Sequence, residues 1–184
     1  MRLFVSIDVP DAFAEEIAEI QAAFADADGL RFTDPEGIHV TLKFLGEVDE
    51  DRLSELETAI GTAVEESDVE PFEAEFGGLG VFPSMEYISV VWFGVREGNG
   101  EMTRLHEAIE RQTVELGFEP EDHEFTPHAT FARMDHAGGK ELVQRLVRER
   151  DPTVGRTTIE EVRLTESKLG PDGPTYSTIE RFSL

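Results

Sequence analysis

The chain has 184 residues and no cysteine, and its 40 Asp and Glu against 16 Lys and Arg give a formal net charge of -24. The length favours one compact domain with a substantial core, while the lack of cysteine excludes disulfides, a cysteine nucleophile and cysteine-ligated zinc. Charge repulsion of this size costs stability unless salt screens it, so we expect a halophilic source, the alternative being a moderately acidic cytosolic protein.

The N-terminal stretch MRLFVSIDVP is too short an apolar run for a signal peptide, and no stretch approaches the length of a membrane span. The sequence therefore predicts a cytoplasmic protein without a membrane partner, and we expect it to act as a monomer.

The first half of the chain predicts strand, helix, strand, helix, strand. Residues 3–9 are typical of a buried strand, and apolar residues recur at helical spacing over residues 13–24. The turn-rich segment GLRFTDPEG leads to the strand that contains His39, and DEDRLSELETAIGTAVEES predicts the second helix. Residues 72–76 predict a further strand. The following GGLGVFPS predicts a loop, and it lacks the G-K-[ST] of a phosphate-binding loop.

The same order of elements then repeats. Residues 87–95 predict a strand, and a helix follows with Met102, Leu105, Ile109 and Leu116 on its apolar side. PEDHEFTP leads into the strand that contains His128, and another helix surrounds Leu142 and Leu146. Residues 158–164 and the tail YSTIERFSL predict two more strands. The repeat predicts one α+β domain over residues 1–184 with two pseudo-symmetric lobes, approximately 1–85 and 86–184. Each lobe would be an antiparallel sheet with helices outside, the tail would be able to cross over to the first lobe, and the two His-x-Thr strands would face a central cleft.

A His-x-Thr pattern occurs in two strand-like stretches, IHVTLKF at residues 38–44 and PHATFAR at residues 127–133. Successive side chains of a strand point to opposite faces, so His39, Thr41 and Lys43 would share one face. His128 and Thr130 would do the same in the second copy. The opposite face is apolar in both, which predicts one buried face and one face that carries chemistry.

Two histidines in one cleft suit acid and base catalysis near neutral pH, where the ordinary pKa of imidazole lies. One imidazole must be neutral to accept a proton from water, and the other must be protonated to donate one to a leaving oxygen. Threonine hydroxyls and a nearby cation would hold the oxygens of a phosphate. The pattern therefore predicts opening of a phosphodiester without a metal or other cofactor, and it leaves open which histidine is the base.

Two cations are candidates for the phosphate. Lys43 would lie on the histidine face of its strand, although a half-exposed strand lysine is the competing interpretation. Arg133 lies five residues after His128 and would face away from it on a regular strand, so a phosphate role would require a bulge or the end of the strand.

The other histidines carry less weight. We expect His106 to face solvent from a helix, His136 to lie in a loop and His123 to lie at the edge of the groove. A metal hydrolase built from His123, His128 and an aspartate is an alternative, but no ligand spacing supports it.

Several stretches together resemble one family: the opening RLFVSIDVP, then IHVTLKFLGEV, LGVFPS, GFEPEDHEFTPHATFAR and ESKLGPDGPTY. They are similar to the 2H phosphoesterase superfamily, in particular its RNA 2',3'-cyclic phosphodiesterase branch, once described as 2'-5' RNA ligases. The resemblance implies that His39 and His128 are the catalytic pair and that Thr41 and Thr130 bind phosphate. It also implies hydrolysis of RNA ends bearing a 2',3'-cyclic phosphate to a 2'-phosphate, with products of tRNA splicing as candidate substrates.

The chain departs from the family pattern at two places, MEYISVVW after LGVFPS and His123 before the second motif, where relatives often carry basic residues. Both departures remove positive charge near the groove. A net charge of -24 also disfavours long polyanions. A small cyclic nucleotide or an ADP-ribose cyclic phosphate is therefore the second candidate substrate, and a non-catalytic RNA-end-binding module is the third interpretation.

Overall fold

The computed structural model describes residues 1–184 as nine strands and four helices. The strands are β1 (Arg2–Asp8), β2 (Leu30–Phe32), β3 (His39–Glu47), β4 (Phe72–Pro83), β5 (Ile88–Glu97), β6 (His128–Met134), β7 (Thr153–Ile159), β8 (Glu161–Gly170) and β9 (Gly173–Ser183). The helices are α1 (Ala14–Ala23), α2 (Leu53–Glu66), α3 (Asn99–Glu115) and α4 (Lys140–Glu149).

All the strands belong to one curled antiparallel sheet in the order β7-β4-β5-β6-β3-β1-β8-β9, with β2 beside β6. The first half-sheet contains β1, β3, β8 and β9, and the second contains β4 to β7 with β2. The two halves join where β3 and β6 pair at Val40 and Ala129. The predicted α+β architecture with one His-x-Thr strand in each half is confirmed.

The boundary between the halves differs from the predicted boundary near residue 85. Strand β4 precedes that point, yet it pairs with β5 and β7 in the second half-sheet. A short turn joins β4 to β5, so the two strands stay adjacent as a hairpin. Not only the tail but also β8 returns to the first half-sheet, where it pairs with β1.

The four helices cover one face of the sheet, and a single apolar core lies between them and the strands. Helices α2 and α3 pack on each other and over the first half-sheet, whereas α1 and α4 pack on the second. The opposite face, here called the cleft face, carries no helix. None of the four helices combines the length and apolar character needed to cross a bilayer.

Three segments differ from the predicted elements. The predicted loop GGLGVFPS continues β4 as far as Pro83, the predicted strand over residues 158–164 is interrupted at Glu160 between β7 and β8, and β2 lies within the turn-rich segment. Gly80 explains the first difference, because a Cβ there would lie 2.2 Å from the ring of Trp92. The glycine permits the close approach of an aromatic side chain rather than a turn.

Candidate active site

Both His-x-Thr strands contain a β-bulge at the same position, three residues after the histidine. In β3 the pairing with β1 passes from Thr41 directly to Lys43, so Leu42 is the additional residue. In β6 the pairing with β5 passes from Thr130 directly to Ala132, so Phe131 is the additional residue. A bulge reverses the alternation of the side chains that follow it.

The bulge in β3 contradicts the predicted orientation of Lys43. The lysine is 2% exposed and lies on the core side, whereas Phe44 is 60% exposed on the cleft face. Lys43 therefore cannot contact a phosphate in the cleft, and its Nζ is instead paired with Glu110 at 2.9 Å.

The bulge in β6 has the opposite consequence for the second cation. Ala132 is fully buried and Arg133 is exposed on the cleft face. Arg31 and Arg163 are paired with Asp135 and Asp8, but Arg133 has no carboxylate partner. The structure thus provides the bulge on which the phosphate role of Arg133 depended.

The two motif histidines are held in the same way. His39 Nδ1 lies 3.1 Å from the carbonyl oxygen of Gly37, and His128 Nδ1 lies 2.7 Å from that of Thr126. A carbonyl oxygen only accepts, so each Nδ1 carries the proton, and each neutral imidazole has an unprotonated Nε2. One proton-accepting nitrogen per half-sheet is therefore left free.

Each motif threonine lies near the histidine of the other motif. The antiparallel pair Val40–Ala129 places His39 beside Thr130, and Thr41 beside His128. Both threonines are half-buried, and the side-chain hydrogen bond made to Thr130, from the hydroxyl of Thr33, goes to its backbone carbonyl and leaves its own hydroxyl unused. A group held between the histidines would therefore meet a hydroxyl from each half-sheet.

Burial lowers the pKa of both histidines. For His39, the hydrogen bond to Gly37 and the charge of Asp8 oppose the shift, while the charges of Arg133 and His128 add to it. Burial is also the main cause of the lowered pKa of His128. Its hydrogen bond to the Thr126 carbonyl opposes that shift, and the charges of His123 and Arg133 add to it. Both imidazoles are therefore neutral in the free protein at pH values where a free histidine would be partly charged.

Aromatic rings that the sequence analysis missed surround both histidines. Phe4 stacks on His39 at 4.7 Å between centroids, and Tyr176 meets the same imidazole edge-on at 5.0 Å. In the second half-sheet, Phe82 meets His128 edge-on at 4.8 Å. The alternation of β1 carried a signal for Phe4, because Leu3, Val5 and Ile7 occupy the core face. Phe82 and Tyr176 lie in LGVFPS and ESKLGPDGPTY, two of the stretches that carried the family resemblance, but no local pattern there indicated contact with a histidine.

None of the remaining histidines is hydrogen-bonded to a motif histidine, but the charge of His123 acts to lower the pKa of His128. His106 was wrongly predicted to face solvent: it is 8% exposed, and its Nδ1 binds the carbonyl of Leu42 at 2.7 Å. His123 is exposed, and a hydrogen bond with Asp122 raises its pKa. His136 accepts a hydrogen bond from the amide of Gly138 in a loop.

Metal-ligand geometry is absent from the site. No group of three or more His, Asp or Glu side chains converges anywhere in the chain as a set that could hold a metal ion. The alternative based on His123, His128 and an aspartate therefore lacks its ligand set in this structure.

Solved structures share this architecture over the whole chain. A protein from Thermus thermophilus is 30% identical with a TM-score of 0.80, covering 100% of this chain and 98% of the other. Escherichia coli LigT, solved in complex with 3'-AMP, has a TM-score of 0.78 at 23% identity, covering 100% of this chain and 97% of LigT. The curled sheet and its paired His-x-Thr strands define the class of protein as the 2H phosphoesterases.

The family model of the 2'-5' RNA ligase superfamily matches residues 9–171, and the chain belongs to this family. The RNA 2',3'-cyclic phosphodiesterase of Methanothermobacter thermautotrophicus is 34% identical over 186 aligned positions, which cover 100% of this chain and 99% of the relative. The protein of the same name from Archaeoglobus fulgidus is 34% identical over 182 positions, covering 99% of each chain. The resemblance identified from the sequence motifs is thus confirmed.

Proposed function

We propose that the protein hydrolyses the 2',3'-cyclic phosphate at RNA ends to a 2'-phosphate, with His39 and His128 as acid and base and without a metal ion. The observation that carries the proposal is the matching arrangement of the two imidazoles, each with Nδ1 held by a backbone carbonyl and Nε2 free. Two relatives that align over 99% or more of this chain carry the name RNA 2',3'-cyclic phosphodiesterase.

In the proposed reaction one neutral histidine takes a proton from water as the water oxygen attacks phosphorus. The bond between phosphorus and the 3'-oxygen breaks, and the other histidine, as imidazolium, protonates that oxygen to give a 3'-hydroxyl. Thr41, Thr130 and Arg133 would bind the non-bridging oxygens and stabilise the charge that develops on them. Either histidine can serve as the base, because both have a free Nε2.

An RNA oligonucleotide that ends in a 2',3'-cyclic phosphate tests the reaction directly. We expect complete conversion to the 2'-phosphate in the presence of EDTA, read by chromatography and by resistance of the product to a 3'-specific phosphatase. Unchanged RNA with retained binding would favour the non-catalytic module. Loss of turnover on addition of EDTA would contradict the metal-free mechanism.

Substrate size distinguishes the two enzymatic candidates. Of the two cations that the sequence suggested, Arg133 alone lies on the cleft face. A single cation supports recognition of one phosphate more than of a long polyanion. Rates on a cyclic mononucleotide and on an oligonucleotide, compared at the same salt concentration, decide between a small nucleotide and an RNA end. Faster turnover of the oligonucleotide would favour RNA ends, among which the products of tRNA splicing are candidates.

We also propose that the acidic composition is an adaptation to high salt, as in a halophilic archaeon. With a net charge of -24, screening should relieve repulsion in the folded state. We expect the melting temperature to rise between low and molar KCl, measured by circular dichroism. A melting temperature independent of KCl would contradict this adaptation.

A further inference from the structure

Lys43 is a buried charge that the proposed chemistry does not use. Its side chain is 1% exposed, and Nζ donates to Glu110 Oε2 at 2.9 Å and to the carbonyl of Glu119 at 2.6 Å. The second carboxylate oxygen of Glu110 accepts from the amide of Glu121 at 2.9 Å. One ion pair thus holds two points of segment 119–127, which leads from α3 towards β6.

His106 joins the same helix, α3, both to the bulge of β3 and to segment 119–127. His106 lies one turn before Glu110 on α3, and its Nδ1 binds the carbonyl of Leu42, the bulge residue of β3, at 2.7 Å. Its ring stacks on Phe125 with 4.2 Å between centroids and an interplanar angle of 9°. Helix α3 therefore connects the bulge of the first motif strand to the segment that precedes the second motif.

Segment 119–127 has few other attachments. No backbone-to-backbone hydrogen bond joins residues 119–126 to the rest of the protein. The segment is also acidic, since it carries Glu119, Glu121, Asp122 and Glu124 in a strongly negative protein, so charge repulsion favours its displacement. Near its end it supplies the Thr126 carbonyl that binds His128 Nδ1.

Stability alone gives a weak reason for this arrangement. The bulge buries a lysine and exposes Phe44, the reverse of the ordinary preference. A buried ion pair contributes little that well-packed apolar side chains would not. Partial burial acts to raise the pKa of Glu110, but hydrogen bonds from Lys43 and Glu121 outweigh it and the pKa is lowered. The carboxylate therefore stays ionised and keeps its partners through the neutral pH range.

We propose that Lys43 and Glu110 are positioning residues that hold segment 119–127 so that the Thr126 carbonyl fixes the Nδ1–H tautomer and orientation of His128. This inference rests on the proposed function for its catalytic consequence. Strand β3, which carries His39, thereby also sets the geometry of His128 in the second half-sheet. His39 does not depend on the segment, because its carbonyl partner is Gly37.

The test compares Lys43→Met with the double variant Lys43→Met/Glu110→Met by NMR of the imidazole nitrogens at about pH 8, where both motif histidines are neutral. In the wild type we expect both histidines as Nδ1–H tautomers. In both variants we expect a tautomer mixture at His128 and an unchanged His39, which is an internal control. We expect kcat to fall about 100-fold, the effect of a small misplacement of a reacting group, with KM little changed.

The double variant separates positioning from stability. Removing both charges should restore much of the melting temperature lost in Lys43→Met, without restoring the His128 tautomer or kcat. If Lys43→Met does not fold, the double variant and Glu110→Gln carry the test, and Lys140→Met serves as the matched lysine control. A wild-type tautomer at His128 or wild-type kcat in the double variant would overturn the proposal. A wild type that shows the expected tautomers but no turnover would contradict the proposed function instead.

Discussion

Replacing His39 or His128 by alanine should lower kcat by about 10²–10⁴-fold in each case, the usual contribution of a positioned general acid or base. The reason is that the cleft offers one free Nε2 per half-sheet, and the proposed reaction uses both. The double variant should be little slower than the slower single variant, because the two groups act in the same step. Initial rates on RNA with a 2',3'-cyclic phosphate end measure the effect.

The pH dependence gives an independent check on the same pair. Burial lowers the pKa of both histidines below the ordinary value of 6.5. The fraction of molecules with one neutral and one protonated imidazole is largest between the two pKa values, so kcat/KM should be bell-shaped with its optimum below about pH 6.5. It should fall at higher pH as the acid loses its proton, and at lower pH as the base gains one.

His136→Ala is the matched control, because this histidine is exposed in a loop and should leave the rate unchanged. Activity of the His39 or His128 variants equal to that of the wild type would exclude the two-histidine mechanism. An optimum well above neutral pH would contradict the lowered pKa values.

Arg133→Ala should have the second largest effect, a loss of about 10²–10³-fold in kcat, as for removal of a group that stabilises charge in the transition state. The bulge at Phe131 places the guanidinium on the cleft face, and its charge acts on the pKa of both motif histidines and of Tyr176. Arg133→Lys should recover part of the rate, since a lysine keeps the charge but not the planar fork of donors.

Arg145→Ala on the exposed face of α4 is the matched control and should be neutral. An Arg133→Ala variant with a raised KM and wild-type kcat would show that the arginine only binds the substrate. Wild-type values of both parameters would leave the phosphate without a cation and would exclude the proposed role.

Much of the fold follows from local patterns. Helical spacing predicted all four helices, because an apolar stripe on one side of a helix is visible within a dozen residues. The prediction of a loop over the glycine-rich part of β4 was wrong, because a glycine that admits Trp92 and a glycine that makes a turn look alike in a local sequence pattern. The lobe boundary was also wrong, because strand order depends on partners far apart in the chain, such as β1 and β8.

The candidate site was likewise predictable from the sequence only in part. The sequence by itself determined that His39 and Thr41, and likewise His128 and Thr130, share a face, since strand alternation is a property of consecutive residues. Their catalytic and phosphate-binding roles stay predictions until the variants are measured. Only the tertiary structure decided where the two candidate cations lie, with Arg133 on the cleft face and Lys43 on the core side of the sheet. The reason is that each bulge is set by the register between strands remote in sequence, β1 with β3 and β5 with β6, which no local pattern records.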